Sequence, residues 1–289
     1  MVDGVLVIDK PRDLTSHDVV AVARRALGER RIGHTGTLDP LATGVLPLAC
    51  GRATRLVRFL TASDKEYEAT IRFGLTTDSY DITGNETSCS GLEPARDAVM
   101  RGLASLTGSY LQMPPAFSAK KVGGRRAYQM ARAEQEVTLT PAPVTVSRAE
   151  LELLSGATAR VRVTCSAGFY VRTFAHSLGD LVGTGACLEA LRRTRSGDFT
   201  LTDAVSLDLL VPGGPDAFKA VMPMERLLPS LPAVTVTDDG RNRVAHGQEI
   251  EGTAEASGWV RVTDREGRLV AMARTGSRPG FLHPAVVLI

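Results

Sequence analysis

The sequence predicts a mixed α+β fold that continues into a small β-rich module. Three observations carry this. Several segments alternate apolar and polar residues with the period of a half-buried strand, as in Tyr67, Ala69, Ile71 and Phe73 against Glu68, Thr70 and Arg72. A capped stretch near the start repeats apolar residues at helical spacing. Five of the fifteen prolines fall between residues 212 and 232, and short alternating segments follow them.

The elements follow in order. GVLVID reads as a strand. Thr15 with Asp18 three residues on resembles a capping box, Val19, Val22, Ala23, Ala26 and Leu27 repeat at helical spacing, and Gly28 suits the C-cap, which gives a helix over 16–27. GHTGTLDPLATGVLPLACG is loop-like at first and apolar afterwards, its glycines marking turns or close approaches. A strand over 67–73 is followed by a helix over 94–106, with Pro94 in its first turn and Gly108 beyond its end. QMPPAFSAKKVGGRRAYQMAR opens on two prolines and runs through a Gly pair into a short helical stretch; it reads as a mobile basic insertion over 112–135. Strands are expected near 144–154 and 159–165, and helices near 170–181 and 186–194. The proline-dense stretch marks a boundary, so the chain divides into a domain over 1–229 and an all-β module over 230–289.

At 289 residues, with 43% apolar and 23% charged residues, the chain is an ordinary globular sequence that can bury a core without staples. Its four cysteines stand apart with no CxxC, which excludes the usual zinc spacings and gives no disulfide framework. Reduced thiols in a cytoplasmic protein are the simplest expectation. The N-terminus lacks the apolar core of a signal peptide, and no run is long enough for a membrane span.

Net charge is only +2, but the basic residues cluster. Seven arginines lie between Arg24 and Arg58. Lys120, Lys121, Arg125, Arg126 and Arg132 lie in the insertion, and Arg192, Arg193 and Arg195 form a third group. Each group alone fits a solvated surface. Three together favour a polyanionic partner, with Lys120, Lys121, Arg125, Arg126, Arg132, Arg192 and Arg193 as candidate contacts to an RNA backbone.

The sharpest local feature is GHTGTLDPLATG, residues 33–44. A phosphate-cradling loop would need GxxxxGK[ST], and no Lys follows these glycines. Asp39 sits between Leu38 and Pro40, an apolar setting with a restrained backbone. Such a carboxylate suits a nucleophile or a general base. It equally suits a turn-forming Asp-Pro with no chemistry.

GHTGTLDPLATGVLPL resembles the signature loop of the TruB-type pseudouridine synthases. So do DKPRDLTSHDVV, with Asp13 where that family usually has Gly, and DKEYEATIRFGLTTDSYDITG, QMPPAFSAKKVGGRRAYQMAR and CSAGFYVRTFAHSLGDLVGTGACLEALRRTRSGDF. The likeness runs in order over about residues 4–200, and the tail resembles a PUA-like RNA-binding module. It implies a catalytic domain with a central, mostly antiparallel sheet. The reaction implied is isomerisation of uridine 55 in the T arm of tRNA, by detachment from C1′ and return through C5. No cofactor, metal or protein partner is implied, and a monomer is expected. The resemblance makes Asp39 the catalytic aspartate, Tyr67 the ring that stacks on the target base, and Arg172 the partner of the catalytic carboxylate. A two-point Arg172–Asp39 pair would hold the acid ionised. It places His34 where the RNA has given up the target nucleotide, Leu191 in the pocket, and Lys10 and Asp81 near the site.

Two rivals stand beside this reading. One is the related branch that works on guide-RNA-directed sites in a multiprotein particle; the compact N-terminus and absence of basic tails favour the stand-alone enzyme. The other is a non-catalytic RNA-binding or RNA-folding protein, against which Asp39, Tyr67 and Arg172 together argue. Deleting 120–132 is expected to weaken tRNA binding more than it slows conversion of bound tRNA, measured by filter binding and single-turnover assay. The resemblance implies that this insertion acts as a clamp on the RNA, and equal affinity after the deletion would refute that.

Overall fold

Thr15 opens the first helix, Ser16–Leu27, by a reciprocal cap: its hydroxyl accepts from the Asp18 amide while the Asp18 carboxylate accepts from the Thr15 amide. Gly28 closes the helix in the left-handed conformation, φ 59°. Val19, Val20, Ala23 and Leu27 bury one face. The computed structural model describes residues 2–117, 121–122, 125–126, 139–210, 215–254 and 258–289.

The helix lies against an eleven-stranded sheet. Its main path runs Val205–Ser206, Gly4–Lys10, Thr43–Cys50, Ala186–Ser196, Lys65–Phe73, Thr158–Cys165, Ala142–Ser155 and Gly108–Gln112. Neighbours are antiparallel except at two places: Gly4–Lys10 beside Val205–Ser206, and Thr43–Cys50 beside Ala186–Ser196. The mixed fold with a mostly antiparallel central sheet is therefore present.

The near-continuous apolar run of Gly4–Lys10 is explained by burial on both faces. Leu6 and Ile8 join the core beneath the helices, with Leu46 and Leu48 of the next strand. Val5 and Val7 join a second core, with Val45 and Ala49. That second core includes Met224, Leu227 and Leu228 together with Leu269, Met272, Val286 and Leu288. The proline-dense stretch is thus packed structure over much of its length, and the C-terminal sheet covers one face of the main sheet. Arg52 and Arg55 reinforce the junction by donating to the Leu288 and Val287 carbonyls.

Two expectations fail. ACLEALRRTRS, read as helix over 186–194, is the strand Ala186–Ser196. Its residues have good helix propensity, but it fills the slot between Lys65–Phe73 and Thr43–Cys50, and pairing on both sides overrides local preference. The C-terminal module is not all β: Thr237 caps a helix, Asp238–Ala245, against a five-stranded sheet. In the insertion, Lys121–Val122 pairs with Arg125–Arg126. Lys120 and Arg132, with the expected short helical stretch, lie outside the described residues. No described helix is long and apolar enough to cross a membrane.

Gly44 shows how tightly the central parallel contact is built. At φ +100° it presses against the backbone of Arg193, and an added Cβ would sit 2.2 Å from the Arg193 carbonyl oxygen. At Gly28, also left-handed, an added Cβ meets nothing within 4 Å. Gly44→Ala is expected to cost about 3 kcal/mol or more, and Gly28→Ala about 1 kcal/mol, by denaturant unfolding. Equal losses would show that the Gly44 contact relaxes freely.

Candidate active site

The loop that carries Asp39 joins Ile32–His34 to Thr43–Cys50 and is pinned from three sides. The Ser16 hydroxyl donates to the Leu38 carbonyl at 3.1 Å and accepts from the Leu38 amide at 2.9 Å. The Asp13 amide donates to the Pro40 carbonyl at 2.8 Å. Lys10 Nζ donates to the Pro11, Leu14 and Pro40 carbonyls at 2.8, 2.6 and 3.4 Å. Leu38, Leu41 and Ala42 are buried and anchor the loop, so the Asp39 side chain, 40% exposed, is turned to the cavity. Asp13 itself holds φ 69°, a conformation that Gly takes freely and Asp tolerates better than most side chains.

Across the cavity, Arg172 stands in the first turn of the helix Val171–Val182. Its Nε lies 2.9 Å from Asp39 Oδ2. Nη1 donates to the Ser79 carbonyl at 3.2 Å and lies 3.6 Å from Asp81 Oδ2, while Nη2 donates to the Phe117 carbonyl at 2.9 Å. The guanidinium is therefore shared among four groups and is not committed to a two-point fork with Asp39. Gln112 braces the approach to this helix, its amide exchanging hydrogen bonds with the Tyr170 backbone.

The cavity has a volume of about 230 Å³. Asp39, Tyr67, Arg172 and Leu191 meet on its wall, and Asp81 stands behind Arg172. His34 does not line it; its ring meets His17 edge-on at 5.6 Å. Lys10 lies beneath the loop as a support. Arg192 is engaged at both nitrogens by the Asp9 carboxylate, at 3.1 and 2.7 Å. Arg193 is a correction to the surface reading: it is 1% exposed, donates to the Val45 and Gly36 carbonyls, and lines the cavity.

Lys65, Phe169 and Tyr170 also line the cavity and were missed. Lys65 carried a legible signal. It is in phase with Tyr67, Ala69 and Ile71 on the buried face of one strand, where a charged residue needs a reason. Its Nζ donates to the Thr61 and Ser63 carbonyls.

Burial sets the protonation of the cavity wall. The Tyr67 hydroxyl is pushed above its ordinary value by burial, with the nearby Arg193 guanidinium opposing, so it remains a neutral phenol at physiological pH. Burial lowers Lys10 to about 8, against the pull of Asp13 and Asp39. Burial, aided by Arg193, lowers Lys65 to about 8.

The lysine shift has a testable sign. Below pH 8 Lys65 is charged in both the folded and unfolded chain, and burial penalises the folded form in full. Between about 8 and the ordinary 10.5 the folded chain binds fewer protons, so stability from this group rises with pH. The unfolding free-energy difference between wild type and Lys65→Met should therefore move in favour of wild type across that window, by up to about 3 kcal/mol. A difference that does not change with pH would refute it.

The model of the TruB family pseudouridylate synthase N-terminal domain matches residues 24–171. That of the tRNA pseudouridylate synthase B C-terminal domain matches 172–229, and that of the pseudouridine synthase II TruB C-terminal domain matches 232–288. The chain is 43% identical to the tRNA pseudouridine synthase B of Solibacter usitatus (strain Ellin6076), covering 99% of this chain and 100% of that one. It is 42% identical to that of Thermobifida fusca (strain YX), covering 99% of each. Among solved structures it resembles a chain of an H/ACA RNP bound to a substrate RNA containing 2′-deoxyuridine, at 26% identity and TM-score 0.75, covering 99% of this chain and 85% of that one. Full-length likeness at this identity, together with the match to the catalytic half, shows that the chain belongs to the TruB family of pseudouridylate synthases.

Proposed function

We propose that the chain isomerises a uridine in the T arm of tRNA to pseudouridine, with Asp39 as its one catalytic carboxylate. The observation that carries this is the 2.9 Å Asp39–Arg172 ion pair on the wall of a cavity shared with Tyr67 and Leu191. The tRNA substrate is supported by relatives named tRNA pseudouridine synthase B that match end to end.

The reaction moves the uracil from N1 to C5 attachment at C1′, so no atom is gained or lost. The target must leave its stack, at a cost of a few kcal/mol. Stacking on Tyr67 returns about 1–3 kcal/mol. Leu191 and Phe169 keep the detached base from water. Asp39 Oδ2 is ion-paired with Arg172 on the cavity wall, where it serves by attack at C1′, by removal of a sugar proton or by attack on the base. Tyr67, as a neutral phenol, suits the delivery of a proton better than its removal.

The enzyme acts alone in this reading: a cytoplasmic monomer that needs no guide RNA or protein partner. The relatives named tRNA pseudouridine synthase B are 42–43% identical, whereas the chain from the H/ACA RNP is 26% identical. Purified chain is expected to convert an unmodified tRNA transcript without additions. Mapping pseudouridine by nucleotide should find product at the T-arm uridine with wild type and none with Asp39→Asn. Arg172→Lys, which keeps the charge but cannot reach all four partners, should lower single-turnover rate by about a hundredfold. A folded, tRNA-binding wild type that yields no product would overturn the catalytic reading in favour of an RNA-binding protein.

A further inference from the structure

A second cleft, of about 630 Å³, opens where the C-terminal sheet meets the catalytic part. One turn of chain separates it from the cavity of Asp39. Thr61 and Lys65 line the cavity, while Ala62, Ser63 and Asp64 between them line the cleft. Lys65 stiffens that partition by gripping the Thr61 and Ser63 carbonyls.

On the rim, Phe59 and Trp259 meet edge to face, with ring centroids 4.9 Å apart. The Arg58 guanidinium rests on both rings, 4.7 Å from the Phe59 centroid and 4.5 Å from that of Trp259. The other arginines of the stretch from Arg24 to Arg58 include Arg24, Arg52 and Arg55, which are tied to internal carbonyls or carboxylates. Arg58 is exposed, and among the described residues no carboxylate pairs with it. Two rings thus hold a cation in place with its N–H edge free, an arrangement suited to a flat partner with acceptor atoms. Arg195 adds a second cation, and Asp64 and Asp198 add carboxylates.

We propose that this cleft is a second RNA subsite, which takes one unpaired base of the substrate strand outside the target pocket. The proposal rests on the function above. The mixture of charges favours a base over a phosphate: two carboxylates repel a phosphate but accept N–H groups, while Arg58 donates to ring nitrogen or carbonyl oxygen. Every nucleobase carries both kinds of edge atom, so the cleft fits an unpaired base without choosing among the four. The apolar floor of Leu228 and Leu231 and the rim rings supply the stacking surface.

Trp259 is the one tryptophan of the chain, so its emission reports on this cleft alone. Full-length Asp39→Asn, which holds substrate unconverted, is titrated with a T-arm stem–loop RNA. The expected result is a saturable change in tryptophan emission that tracks binding measured by filter retention. In the same background, Arg58→Ala and Asp198→Asn, both at exposed positions, should weaken binding, by about tenfold for Arg58→Ala. The salt dependence should keep its slope, because a base contact releases no phosphate counterion. Saturation with unchanged emission overturns the proposal. So does unchanged affinity in both variants, or a slope reduced by about one in Arg58→Ala, which marks a phosphate contact. Wild type is assayed for pseudouridine on the same RNA, so failure of the reaction and failure of the subsite are read separately.

Discussion

The Arg172 guanidinium is the joint on which the site depends. It is 6% exposed, and a cation so buried is tolerable only if its donors are satisfied. Asp39 and Asp81 supply the charge, and the Ser79 and Phe117 carbonyls take the remaining geometry. Four segments far apart in the chain thereby become one object. Asp81 is prepared for this in turn. Ser79 and Thr83 donate to its Oδ1, which leaves Oδ2 to face Arg172. Between Ser79 and Asp81, Tyr80 holds φ 64° and stacks on His176 at 4.0 Å, one helical turn beyond Arg172. A bulky residue in that conformation costs about 1–3 kcal/mol, and the stack and turn hold it there.

Charge is used in two ways that composition does not separate. Many arginines are internal fasteners: Arg193 ties the Asp39 loop to the central strand, Arg192 binds Asp9, and Arg52 binds both Asp3 and the C-terminal sheet. In the group of Arg192, Arg193 and Arg195, a run of basic residues in the sequence is therefore internal bonding in the fold and not a free basic patch. Among the described residues Arg58 is used otherwise: it is exposed, and two rings hold it in place.

What was legible in the sequence was local or periodic. The helix Ser16–Leu27 announced itself through both caps, and Lys65–Phe73 through strict alternation, since each signal acts within one element. Asp39 stood out because glycines and a proline surround it, but residue chemistry alone left it between catalyst and turn; the resemblance separated the two. The failures were non-local. Ala186–Ser196 has a helix-like composition and becomes a strand only because two neighbours demand one. Arg193 sits in a run of basic residues that reads as surface, and its burial follows from the pairing of Gly44 with its backbone. Lys65 was hidden by its own alternation: the pattern was seen, and the charge in phase with it was passed over.

The strand order has a consequence for how the protein is made. Ala186–Ser196 enters between Thr43–Cys50 and Lys65–Phe73, two strands synthesised long before it. At about 5–20 residues per second, the ribosome delivers the missing strand on the order of ten seconds after the first of them. Until then Lys65–Phe73 and the Thr43–Gly44 end of its neighbour lack the strand that joins them, while Ile32–His34 already pairs with Leu48–Cys50, and an open edge is a template for wrong partners. The slot accepts only a strand parallel to one neighbour and antiparallel to the other, so premature closure by the earlier pair would exclude the sequence that completes the sheet. Vectorial synthesis therefore leaves the catalytic half dependent on its late-arriving centre, and it should be a client of whatever in the cell shields open sheet edges.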